Sequence, residues 1–77
     1  MHAANAERSR RLGRTLAHLR ACPEGLTTWQ LIERTGSVAV HSDAAELRAN
    51  GHDVQCEYQG TTPEGRRVYR YRLVGTA

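Results

Sequence analysis

Seventy-seven residues suffice for one domain whose small core buries roughly 60% of the surface an unfolded chain exposes, and they leave no room for a second domain. All eleven basic residues are arginine, and the formal charge of +3 with a pI near 9.4 points to a polyanionic partner. No stretch approaches the ~20 apolar residues of a membrane helix, and two cysteines without an apolar leader predict a cytoplasmic protein with buried thiols rather than a disulfide scaffold.

Lysine and phenylalanine are absent, a bias that a GC-rich genome would produce, so the placement of the arginines is the usable signal. Five arginines stand against one acid from Glu7 to Arg20, two against six acids from Ala21 to Glu57, and four against one from Tyr58 to Ala77. The ends are basic and the middle is acidic.

Residues 1–6 offer nothing to bury and are expected to be disordered, with the domain spanning 7–74 and a short tail over 75–77. From Glu7 to Ala21, Leu12, Leu16 and Leu19 recur at helical spacing, while Arg10, Arg11, Arg14 and His18 fall on the far side. Cys22-Pro23-Glu24-Gly25 ends that helix, because proline disfavours helical geometry in the residue before it. Thr27 then stands three residues ahead of Gln30, the spacing of a capping box, and predicts a second helix over about Thr28 to Thr35 with Gly36 as the turn that follows.

A third helix is expected over roughly Ala39 to Asn50, with Asn50-Gly51 as a left-handed stop. Successive residues ~100° apart put Val40, Ala44 and Leu47 on its buried face, and Ser42, Ala45, Glu46 and Ala49 away from it, with His41 at the edge. Alternation then predicts a strand over Asp53 to Tyr58, a turn at Thr62-Pro63-Glu64-Gly65 and a strand from about Arg67 to Val74. Pairing Cys56 with Tyr71 sets Glu57 opposite Arg70 and Gln55 opposite Arg72, which makes both faces of the hairpin chemically consistent. Tyr69 and Tyr71 could stack on bases, but their alternation with Leu73 favours core packing, while Trp29, near the start of the second helix, reads either as a lid on the core or as a partly exposed anchor for a partner.

The text Leu26-Thr27-Thr28 through Leu31-Ile32, Thr35-Gly36, Ala45-Glu46-Leu47-Arg48-Ala49-Asn50-Gly51 and Arg67-Val68-Tyr69-Arg70-Tyr71-Arg72-Leu73 resembles the small winged helix-turn-helix domains of phages, prophages and bacterial regulators. The resemblance covers about 50 residues. It implies an α+β fold of three helices followed by a two-stranded wing, with the third helix entering the major groove of double-stranded DNA and the hairpin tip touching backbone or minor groove. Relatives often carry arginine where this chain has Asp43, and a larger aliphatic where it has Ala44.

On that reading His41, Ser42 and Glu46 are the candidate base contacts, and Arg10, Arg14, Arg66 and Arg67 the candidate phosphate contacts. One such module buries only ~600–1,000 Å² on DNA, so a homodimer or a partner protein is expected to be needed for tight specific binding. The role would be that of a transcriptional regulator or an excision-type architectural factor. The acidic middle supports an alternative, a protein-binding winged helix, in which Glu33, Asp43 and Glu46 meet a basic surface on a host or phage protein.

Neither metal nor cofactor is expected. His52 and Cys56 lie ~13 Å apart along an extended strand, and no Cys-x-x-Cys clamp accompanies them or the His18 and Cys22 pair. His41-Ser42-Asp43 holds the letters of a hydrolase triad, but helical neighbours ~100° apart cannot pass a proton along a line, so no enzymatic role is expected.

Overall fold

A computed structural model describes residues 3–76, with side chains from Arg10 to Gly75. Helix α1 spans Ala3–Ala21, strand β1 Leu26–Thr27, helix α2 Thr28–Thr35, helix α3 Val40–Ala49, strand β2 His52–Thr61 and strand β3 Arg67–Thr76. Three helices thus pack with a three-stranded antiparallel sheet of order β1-β3-β2. No helix among the described residues is long and apolar enough to cross a membrane.

The local signals explain most boundaries. At α2 the capping box forms, with Gln30 N–H donating to Thr27 Oγ1 at 3.2 Å and Thr27 N–H to Gln30 Oε1 at 2.9 Å. Gly36 ends that helix at φ 74°, its N–H donating to Ile32 O at 2.8 Å. At the end of α3 the left-handed stop expected at Asn50-Gly51 forms on the glycine: Asn50 keeps φ −96°, and Gly51 takes φ 95°. The first helix starts at Ala3 rather than Glu7, since Ala3, Ala4 and Ala6 are strong helix formers. Of the expected disordered segment, residues 1 and 2 lie outside the described residues. Of the expected tail, residues 75 and 76 belong to β3 and residue 77 lies outside the described residues.

Leu19, Leu26, Leu31, Val40, Ala44, Leu47, Val54 and Tyr71 form the buried core, with Leu12, Leu16, Ile32, Tyr69 and Leu73 packed around it. Val40, Ala44 and Leu47 form the buried stripe of α3 that its spacing predicts, and Asp43 joins them. Of the two readings of Trp29 the structure has the exposed one, because the first turn of α2 lies at the edge of the core. The expectation of buried thiols is corrected: Cys56 is exposed and Cys22 is half-buried.

The hairpin adopts the expected register, with Cys56 opposite Tyr71, Glu57 opposite Arg70 and Gln55 opposite Arg72. A register shift between Tyr58 and Gly60 leaves Gln59 without an opposite residue and carries β2 on to Thr61. Strand β1 extends the sheet by pairing Leu26 with Tyr71 and Thr27 with Arg70. Gly25, just before it, holds φ 92°, and a Cβ there would sit 2.8 Å from the carbonyl oxygen of Tyr71. Gly25→Ala is therefore expected to cost about 1–3 kcal/mol of stability in urea unfolding, through the unfavourable backbone angle and the contact with main chain. A loss no larger than the ~0.5 kcal/mol of an ordinary surface change would count against that close approach.

Burial pushes the Tyr71 hydroxyl well above the ordinary value of 10.0, and the neighbouring Cys56 thiol adds to the rise. The folded chain keeps a proton that the unfolded chain gives up, so this contribution is complete below pH 10 and is lost as pH climbs past it. Alkaline urea titrations of wild type and Tyr71→Phe should diverge less as pH rises, since phenylalanine has no proton to lose. A constant gap between their midpoints across that range would contradict the assignment.

Candidate nucleic-acid interface

The turn between α2 and α3 is fastened from below by Asp43. Its carboxylate is 1% exposed. It accepts from Ser37 Oγ at 2.6 Å and from Arg11 Nε of α1 at 3.1 Å. Ser37 in turn accepts from Ala39 N–H at 3.2 Å and donates its own N–H to Thr35 Oγ1 at 3.1 Å. A single carboxylate thus ties helix, turn and α1 together. This corrects the expectation that Asp43 belongs to an exposed acidic face: its charge is consumed inside the fold. Glu33 remains exposed on α2.

Removing Asp43 from the surface changes what α3 can offer. Ser42, Ala45 and Ala49 are exposed, as the helical wheel predicts, whereas Glu46 is half-buried and already engaged within the protein. His41 is exposed, yet its ring is hydrogen-bonded to the Tyr71 hydroxyl and meets Tyr69 and Tyr71 edge-on, at centroid distances of 5.6 and 5.5 Å. It acts first as a strut between α3 and β3. The outward face of α3 is therefore built of short side chains.

The arginines divide into two groups. Arg48 Nε donates to Val54 O at 2.6 Å, Arg70 Nη1 to Gly25 O at 3.1 Å, and Arg72 pairs with Glu57 at 3.1 Å. With Arg11 these four hold the fold. Arg70 crosses to β1 rather than pairing with Glu57, so the ion pair runs diagonally across the hairpin. Among the described residues, Arg10, Arg14, Arg20 and Arg67 are exposed and form neither hydrogen bond nor ion pair. Arg10 and Arg14 stand one turn apart on α1 and share a flank.

Arg66 lies over the indole of Trp29, 4.9 Å from the ring centroid, and so joins the hairpin tip to the start of α2. The tip is closed by Thr62, whose N–H donates to Arg66 O at 2.8 Å while its Oγ1 accepts from Arg66 N–H at 3.1 Å. On the hairpin's other face, Tyr58, Arg67 and Tyr69 line an open cleft of about 330 Å³. The sequence favoured Tyr69 for the core and gave Tyr58 no role beyond its strand. The signal for the cleft was present in the matching parity of Tyr58, Tyr69 and Arg67, which puts all three on the face that carries Tyr71.

The chain matches no family model, no curated protein and no solved structure.

Proposed function

We propose that this is a winged helix-turn-helix protein that binds duplex DNA, mainly through its phosphates. The observation that carries the reading is the chain order of three helices followed by the β2-β3 hairpin, the arrangement that the resemblance to winged helix-turn-helix domains implies. Arg10, Arg14, Arg66 and Arg67 are the proposed phosphate contacts. Ser42 is the proposed base contact, with Ala45 and Ala49 suited to thymine methyl groups, whereas His41 and Glu46 have duties within the fold. So short a reading surface supports binding governed by backbone and shape, as in an architectural factor, over a regulator that depends on many base hydrogen bonds.

The competing reading, protein contact through the acidic middle, loses Asp43 to the interior and is the weaker for it. Fluorescence anisotropy with a labelled duplex tests the proposal: binding should appear at low salt and fade steeply as salt rises. Absence of binding at low salt, or an affinity insensitive to salt, would remove it.

A further inference from the structure

Phosphate binding accounts for Arg67 at the hairpin cleft but leaves the aromatic wall beside it without a role. Tyr58 is 57% exposed, an unusual position for a large ring, and it is held in place twice. Its hydroxyl lies 2.5 Å from Thr61 Oγ1, and its ring meets that of Tyr69 at 5.7 Å between centroids, tilted by 56°. Tyr69 is braced in turn by the edge of His41, which Tyr71 holds from the core. A chain of four rings therefore runs from the interior to an aromatic wall open to solvent.

Arg67 stands at that wall with no protein partner among the described residues. A fixed aromatic face beside an unpaired guanidinium matches a flat ring that carries an anion close by. The cleft's volume of about 330 Å³ lies at the small end of the ~300–1,000 Å³ typical of ligand pockets, a size suited to one nucleoside and too small for a helix.

We infer that the cleft lined by Tyr58, Tyr69 and Arg67 accepts a single unpaired nucleobase of DNA, stacked on Tyr58, with Arg67 on the adjoining phosphate. This rests on the DNA-binding reading and deepens it. The protein would distinguish a duplex with an extruded or mispaired base from a perfect one, because a base already out of the stack spares the cost of unstacking. Stacking on one aromatic side chain is worth about 5-fold to 150-fold in affinity.

The test compares two labelled duplexes of one sequence, one fully paired and one with a single bulged 2-aminopurine. The bulged duplex should bind at least about 5-fold more tightly, with its 2-aminopurine fluorescence quenched on binding. Tyr58→Ala should bring the ratio of the two affinities to about one and abolish the quenching, while Tyr58→Phe, which keeps the ring, should preserve both. Equal binding of the two duplexes by wild type, or a preference that survives Tyr58→Ala, overturns the inference and leaves duplex binding standing. Failure to bind either duplex overturns both.

Discussion

Asp43→Ala is expected to destabilise the protein by about 2–3 kcal/mol, a large share of the roughly 4–12 kcal/mol that a chain of this length commands. Removing one partner of a buried ion pair commonly costs ~3–5 kcal/mol, because the group left behind is desolvated and unmatched. Here the cost falls at or below the bottom of that range, since the Arg11 side chain is 36% exposed and water can partly replace the carboxylate. Ser37 has no such recourse, being 4% exposed with its hydroxyl aimed at Asp43 Oδ2. Urea unfolding of Asp43→Ala, Ser37→Ala and the double variant should therefore show strong non-additivity, with a coupling of about 1 kcal/mol or more. Should Asp43→Ala cost under ~0.5 kcal/mol, as an exposed acid would, the fastening of the turn to α1 is wrong.

Duplex affinity should fall about 100-fold between ~50 and ~200 mM salt if Arg10, Arg14, Arg66 and Arg67 each neutralise one phosphate, because every neutralised phosphate releases close to one counterion. Arg67→Ala is expected to reduce the slope of log affinity against log salt by about one unit and to weaken all sequences alike. Arg20 is equally exposed but lies beyond the proposed contacts at the far end of α1, so Arg20→Ala should leave the slope alone. Equal losses of slope from Arg67→Ala and Arg20→Ala would mean that the duplex responds to net charge rather than to a defined surface.

What could be read from the residues alone follows the reach of each interaction. Helix α2 was legible because Thr27, Gln30 and Gly36 act within a few residues of one another, and the hairpin register because alternation in two strands admits one good pairing. Strand β1 was not, since two residues display no period, and β2 ran past its expected end because the shift at Gln59 breaks the alternation. Asp43 looked like part of an exposed acidic face, as its partner Arg11 stands 32 positions away. His41 looked like a groove contact for the same reason, its Tyr71 partner being 30 positions away. In the candidate site, charge was legible and aromatic neighbourhood was not.

Trp29 is the chain's one tryptophan, and a hairpin arginine rests against it at the surface. The molecule thus carries an intrinsic optical gauge of where its wing tip sits. Anything that draws Arg66 away alters the environment of the indole, so engagement of the tip can be followed without attaching a dye to the protein.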